Sequence, residues 1–368
     1  MRIAELKLKN FRNLRSLGFT ASATFNLIYG PNGCGKTSIL EALAYLSLGR
    51  SFRAVRYPHL ITRGADNFFI EARIQPDEGP LPVNLAVGRE RTGGSSIRIN
   101  GAPVARLVDL ATHLCVQIIH PEGSELVNGA AELRRGFLDW GVFYSSEQRR
   151  PDWSRYRRVL SQRNALLQHP QGAAQLAFWD DELCALAERI TTARGEYLQR
   201  LRPFLEAQLE LLLPEVKLEF SLSKGWDEGR ELKAVLKANL EVDRAKGYTY
   251  YGCHRADLKI KNLSWKADET LSRGQLKLLV CALRLAQSEL LLKERGISCV
   301  FLIDDLNAEL DSRSRTVLFE QLRSGAHQVF ITNIDPDLPQ FLGAEVNLIE
   351  VTAAAQSAAG APNEAVNV

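Results

Sequence analysis

No stretch of the 368 residues is apolar for long enough to cross a bilayer. No secretory leader is expected either: Met1-Arg2-Ile3-Ala4-Glu5-Leu6-Lys7 alternates like a strand and contains no uninterrupted apolar core. Short paired cysteine spacings are also absent. The six cysteines (Cys34, Cys115, Cys184, Cys253, Cys281 and Cys299) are scattered, which argues against a zinc site or a secreted disulfide framework and points to reduced thiols. Nor is there a large excess of charge. A net +3 leaves nucleic-acid binding open, because such binding follows local clusters of Arg and Lys rather than the total. These absences lead to the expectation of a soluble, cytoplasmic protein with no membrane contact. What is present, 45% hydrophobic and 24% charged residues, is ordinary for one or two globular domains.

Patterning divides the chain into α/β ends and a helical middle. Period-two strands are predicted at Ile3 to Leu8 and Phe25 to Tyr29, followed by a glycine-rich loop and a helix from Thr37 to Ser47. Short strands return between Phe68 and Ile99, with Gly93-Gly94-Ser95 and Asn100-Gly101 as turns. From Leu133 to Leu213 the spacing turns helical, and Leu183, Leu186, Ile190, Ala193 and Tyr197 follow a three-four alternation. Pro203 and Pro214 are expected to interrupt it, giving a short, compact lobe of ordinary amphipathic helices rather than a coiled coil. After Tyr248 come a strand at Leu258 to Ile260, a helix from Ser272 to Glu294, and strands at Cys299 to Ile303 and Gln328 to Thr332. The expected organisation is an α/β lobe from 1–132 and 248–351, a helical lobe from 133–247, and a disordered Ala-, Gly-, Ser- and Asn-rich tail from 352–368.

Gly30, Pro31, Asn32, Gly33, Cys34, Gly35, Lys36 and Thr37 match the phosphate-loop pattern G-x-x-x-x-G-K-[ST], with Ser38 following inside the helix. The pattern alone recurs by chance in about one chain in a hundred of this length, so the strand before it and the helix after it decide the reading. Glycines let successive backbone N–H groups curl around phosphates, and the helix offers its positive end. Lys36 would neutralise the β and γ phosphates of ATP, and Thr37 would supply a hydroxyl to Mg²⁺.

Far downstream, the apolar strand from Cys299 to Ile303 ends in Asp304-Asp305. Alone this could be a strand end with a solvated cap. Paired with the phosphate loop it reads as the acidic half of an ATP site, with Asp304 holding the metal through water and Asp305 orienting or deprotonating the attacking water. Leu271-Ser272-Arg273-Gly274-Gln275, just before a long helix, resembles the signature motif of ATP-binding-cassette ATPases. A Ser hydroxyl, a Gly backbone N–H and a helix N-terminus all bind anions; Ser272 as a simple helix N-cap fits the same residues. In that family the signature of one subunit caps the γ-phosphate held by the other, so the resemblance implies an ATP-dependent homodimer. By the same resemblance, Glu309-Leu310-Asp311 corresponds to a dimer-contact loop and Gln117 to a Mg²⁺-sensing glutamine, although a lone Gln also suits a surface role. No switch histidine follows the last core strand; His327 precedes it, and Thr332 stands nearest the switch position.

The two halves of the site lie too far apart in sequence for an ordinary transporter subunit, the competing reading; a metabolic P-loop kinase has no use for the motif at Leu271. The opening Leu6-Lys7-Leu8-Lys9-Asn10-Phe11-Arg12-Asn13 is similar to the start of SMC-like proteins. With Gly49-Arg50-Ser51-Phe52-Arg53, Arg134 to Trp140, His254-Arg255-Ala256-Asp257-Leu258 and Leu271 to Gln275, the chain resembles the RecF family from residue 1 to about 350. Cys253 departs from the family's usual Pro, and Ala308 from its frequent Ser.

The resemblance implies an α/β fold of the SMC-like ABC type, a P-loop ATPase head with an inserted helical lobe. It implies slow, DNA-stimulated ATP hydrolysis, binding to duplex, gapped or single-stranded DNA, and cooperation with RecR and RecO in loading RecA. The residues themselves offer one basic, aromatic cluster: Arg149, Arg150, Arg155, Arg157 and Arg158 with Trp153 and Tyr156 interleaved. It reads either as a phosphate track or as a solvated helix face with its aromatics turned inward. If DNA lies across the α/β lobe instead, Lys7, Arg53 and Arg56 are the candidate charges.

Overall fold

The computed structural model describes residues 1–54, 56–77, 81–169, 173–305, 312–325, 327–336 and 346–352, without the side chains of 173 and 174. Ala308, the Glu309-Leu310-Asp311 loop and the tail beyond Thr352 lie outside the described residues. The chain forms two compact units: Met1–Gly123 together with the described residues from Cys281 onward, and Ser124–Val280.

The first unit opens with β1 (Arg2–Phe11), β2 (Leu14–Thr20), β3 (Phe25–Tyr29) and α1 (Lys36–Leu48). It continues with β4 (Asn67–Gln75), β5 (Val83–Glu90), β6 (Ser95–Ile99), β7 (Ala102–Pro103), α2 (Val108–Ala111) and β8 (Val116–Ile119). The second holds α3 (Glu125–Asn128), α4 (Ala131–Ser145), α5 (Arg150–Leu167), α6 (Ala173–Leu212), β9 (Leu218–Ser223), α7 (Leu232–Ala238) and α8 (Leu240–Lys246). After these come β10 (Asp257–Asn262), β11 (Trp265–Lys266), α9 (Ala267–Thr270) and the start of α10 (Arg273–Arg295), whose later turns belong to the first unit. The first unit then adds β12 (Val300–Ile303), α11 (Ser312–Ser324), β13 (Gln328–Asn333) and β14 (Val346–Glu350).

Two sheets build the first unit. One is antiparallel, in the order β2-β1-β4-β5-β6-β7, and its strands alternate: Leu6, Leu8, Ile70, Ile74, Leu85 and Val87 are buried while Lys7, Lys9 and Arg73 are exposed. The other is parallel, in the order β14-β3-β13-β12-β8. Its inner strands are buried along nearly their whole length, which is why they read as unbroken apolar runs rather than alternation. Strand β2 was not anticipated: Arg15 and Gly18 break its alternation, although Leu17 and Phe19 still turn toward the core.

In the second unit, expectation and structure part in two places. Residues 248–280 were expected in the ATPase lobe, but β10 pairs antiparallel with β9 through Asp257↔Ser223 to Asn262↔Leu218 and so belongs with the helices. Pro203 does not interrupt the pattern. Helix α6 runs through it for 40 residues, about 60 Å at 1.5 Å per residue, so the lobe is not short. Leu201, Leu205 and Leu209 are buried on either side of the proline, and this packing offsets the lost backbone bond.

Candidate nucleotide site

The phosphate loop leaves the C-terminal end of β3, the end at which parallel sheets bind ligands. Gly30 has φ +147°, and a Cβ there would lie 2.6 Å from the Val351 carbonyl oxygen. Gly35, at φ +117°, caps α1, and a Cβ there would meet Leu14 Cδ2 at 2.6 Å. The tight turn therefore excludes side chains at both positions. Pro31, Asn32 and Gly33 are exposed on the outer curve, while Cys34 is buried beneath it. Lys36 Nζ donates to the carbonyls of Gly30 at 2.6 Å and Pro31 at 3.1 Å, which holds the ammonium over the loop.

Residues outside the motif hold this loop in place. Asn13 Nδ2 donates to the Gly33 carbonyl at 2.8 Å, and its Oδ1 accepts from Ser38 Oγ at 2.8 Å. One amide thus ties the middle of the loop to the first turn of α1. Its neighbour Arg12 makes a two-pronged bond to Glu41, both contacts 2.7 Å, with Glu41 only 1% exposed. Asn10 and Arg12 sit at φ +55° and +56°, in the bend from which the side chains of Arg12 and Asn13 reach α1 and its loop. Asn13 belongs to the N-F-R-N stretch that carries the family resemblance, and nothing in the sequence alone marks it as a loop-holding residue.

The acidic half comes from β12, separated from β3 by β13 alone. Thr37 Oγ1 donates to Asp304 Oδ1 at 3.0 Å across 267 residues of sequence. Thr332, on the intervening strand, donates to the same oxygen at 2.8 Å, and its hydroxyl accepts the Asp305 backbone N–H at 2.9 Å. A single buried hydroxyl therefore ties the metal candidate to the candidate water-activating residue. Asp305 adopts φ +47° and its side chain is exposed. The Thr37–Asp304 pair offers two hard oxygen donors, which suits Mg²⁺ completed by phosphate oxygens and water. Among the described residues no group of three or more His, Cys, Asp or Glu could hold a metal alone.

Gln117 and the motif at Ser272 make other hydrogen bonds. Gln117 is 1% exposed in mid-strand, pairing in register with Phe301, three residues before Asp304. Its amide donates to Gln287 at 3.3 Å and accepts from Arg284 at 3.2 Å. These two bonds tie Gln117 to α10. Ser272, Gly274 and Gln275 lie in the second unit. There Gln275 N–H donates to Ser272 Oγ at 3.2 Å and Ser272 N–H donates to Gln275 Oε1 at 2.9 Å, a reciprocal capping box that opens α10.

In the basic, aromatic cluster Arg157 and Arg158 are exposed, and three other arginines have partners. Tyr156 is buried, while Arg149 pairs with Glu196 at 2.9 Å, Arg155 with Glu182, and Arg150 stacks on Phe143 at 4.4 Å. These charges bind other side chains of their own unit.

Residues 2–358 match the RecF/RecN/SMC N-terminal domain family. The DNA replication and repair protein RecF of Actinobacillus pleuropneumoniae serotype 3 (strain JL03) is 42% identical over 337 residues, covering 92% of this chain and 93% of the relative. A solved structure of the recombination mediator protein RecF-ATP in the RecFOR pathway is similar at TM-score 0.83 and 28% identity, covering 91% of this chain and 92% of that one. The Smc head domain bound to the C-terminal domain of ScpA, from Pyrococcus furiosus, has TM-score 0.57 at 16% identity over 95% and 94% of the two chains, a likeness of fold alone.

Proposed function

The chain belongs to the RecF family, and from that premise we propose that it is an ATP-gated, DNA-binding ATPase of replication and recombinational repair. It acts in the cytoplasm with RecR and RecO to load RecA. The observation that carries the reading is the Thr37–Asp304 contact, which joins the two halves of an ATP site at one end of a parallel sheet. Among the described residues no helix is long and apolar enough to cross a membrane, and the relatives are named as repair proteins. The names of the relatives favour this reading over a transporter subunit.

Mg²⁺ would be held by Thr37 and, through water, by Asp304, and would neutralise charge building up on the β and γ phosphates. The chain's residues do the rest. The amides from Gly33 to Thr37 cradle the phosphates, and Lys36 exchanges its two carbonyl partners for phosphate oxygens. Asp305 accepts a proton from the attacking water, and Thr332 fixes the backbone from which Asp305 projects. Ser272 and the first amides of α10 present anion donors to ATP bound by a second copy, so ATP closes a dimer on DNA and slow hydrolysis releases it.

Sedimentation velocity with ATP and Mg²⁺ tests this. The wild type dimerises, Lys36→Met stays monomeric, and Asp305→Asn forms a dimer that persists because it cannot turn over ATP. A monomeric Asp305→Asn protein under conditions where the wild type dimerises would count against the assigned roles.

A further inference from the structure

The residues from Arg50 to Ala65, between α1 and β4, include Arg50, Arg53, Arg56, Arg63 and His59 and contain no Asp or Glu. All four arginines are exposed, and among the described residues none of their guanidinium groups pairs with a carboxylate. The other arginines of this neighbourhood behave differently. Arg12 grips Glu41 and donates to the His59 carbonyl at 3.2 Å; Arg89 lies over the Tyr57 ring at 5.4 Å and donates to Tyr45 Oη at 3.2 Å; Arg91 donates to the Ala65 carbonyl at 3.2 Å. Arginines with structural work are thus distinct from arginines left facing water.

The segment that carries the unpaired set is pinned at several points. Ser51 Oγ donates to Glu41 and accepts the Ala54 N–H, and the Arg53 N–H at 2.9 Å. Arg12 N–H donates to the Leu60 carbonyl at 2.6 Å, and Ile61 bridges to Phe11. A backbone held at Ser51, Leu60 and Ile61, presenting several guanidinium groups that bind no carboxylate among the described residues, suits a polyanion with regularly spaced charges. Each guanidinium can fork onto a phosphate, and less conformational entropy is lost because the backbone is already held at those points. The same pins connect the segment to the phosphate loop: Ser51 meets Glu41 on α1, Glu41 meets Arg12, and the adjacent Asn13 holds Gly33.

We propose that Arg50, Arg53, Arg56 and Arg63 form the surface of this chain that grips the phosphodiester backbone of DNA. This rests on the DNA-binding reading above and gives it a location. The grip is independent of base sequence, because guanidinium–phosphate contacts position the protein without reading bases. It is also coupled to nucleotide through the Arg12–Glu41–Ser51 connection to α1.

The test is fluorescence anisotropy of the full chain with ATP and Mg²⁺ on a labelled duplex, and on the same duplex carrying a single-stranded gap, across a salt series. Changing all four to Gln should weaken binding at least tenfold at moderate salt. It should also flatten the log–log salt slope by roughly one per lost phosphate contact. The thermal unfolding midpoint should stay near that of the wild type, since all four side chains are exposed. Arg157→Gln with Arg158→Gln, an exposed basic pair on α5, serves as the comparison and should leave affinity and slope unchanged. Wild-type affinity and slope in the fourfold variant would overturn this surface while leaving DNA binding intact, as would loss of binding in the α5 pair alone. A wild type that binds neither DNA would instead overturn the parent reading.

Discussion

Arg12 and Glu41 show how much of the nucleotide site depends on residues that never touch nucleotide. Glu41 is 1% exposed on the helix that carries Lys36 and Thr37, and its charge is balanced by the two-pronged bond from Arg12 and by Ser51. Arg12→Ala strands that carboxylate in the interior, which costs about 3 kcal/mol. Urea unfolding should show that loss, and adding Glu41→Gln should recover part of it by removing the stranded charge. A loss under about 1 kcal/mol would mean that water replaces the guanidinium. Lys36, Thr37 and Asp304 were legible in the sequence because a glycine-spaced loop and an apolar strand ending in carboxylates each carry their own local pattern. Asn13 was not, since an Asn acquires its role only when folding brings Gly33 and Ser38 to it. Thr332 stood nearest the switch position, yet its hydroxyl bonds to Asp304 and to the Asp305 backbone could not be read from one Thr.

At the scale of elements, strands and helices with strong periodicity came through closely. The Phe25–Tyr29 strand and the helix beginning at Lys36 lie where the sequence pattern places them, although β3 is buried on both faces rather than alternately. Pro203 misled because the three-dimensional packing of a 40-residue helix outweighs one local penalty. Helix α10 carries the next prediction. Its capping box shows that Ser272 is an N-cap, and the proposed contact with a second copy's ATP asks the same hydroxyl to serve phosphate. The two roles separate in Ser272→Asp. Asp caps a helix as well as Ser does, so stability should stay within about 0.5 kcal/mol of wild type, while the added negative charge repels the γ-phosphate and abolishes the ATP-dependent dimer. Sedimentation of that variant with ATP decides the point: a stable protein that still dimerises would remove Ser272 from the dimer contact.

For the molecule as a whole, the division into two units was harder to read than the elements, because β9 and β10 find each other only after α7 and α8 have intervened. The α/β signal of residues after Tyr248 therefore pointed to the wrong unit. Each unit also holds a histidine with a lowered pKa, His327 buried and His254 half-buried. Burial lowers His327 in the first to about 4, with Asp77 opposing and the N-terminal ammonium reinforcing the shift. In the second, burial lowers His254 to about 4; the Thr249 carbonyl and Asp243 oppose this, and Arg255 and Arg135 reinforce it. Both rings hold fixed hydrogen bonds, His254 to Tyr156 Oη at 2.7 Å and His327 to Ser288 Oγ at 3.3 Å. Because each folded value lies below the free value of about 6.5, the unfolded chain binds more protons between those limits. Stability is therefore full above about pH 6.5 and falls as pH drops toward 4, by up to about 3 kcal/mol for each ring. Urea midpoints across that range should decline with falling pH. His254→Gln and His327→Gln should each flatten the decline by about half, and a profile unchanged in both variants would place the acid sensitivity in the carboxylates instead.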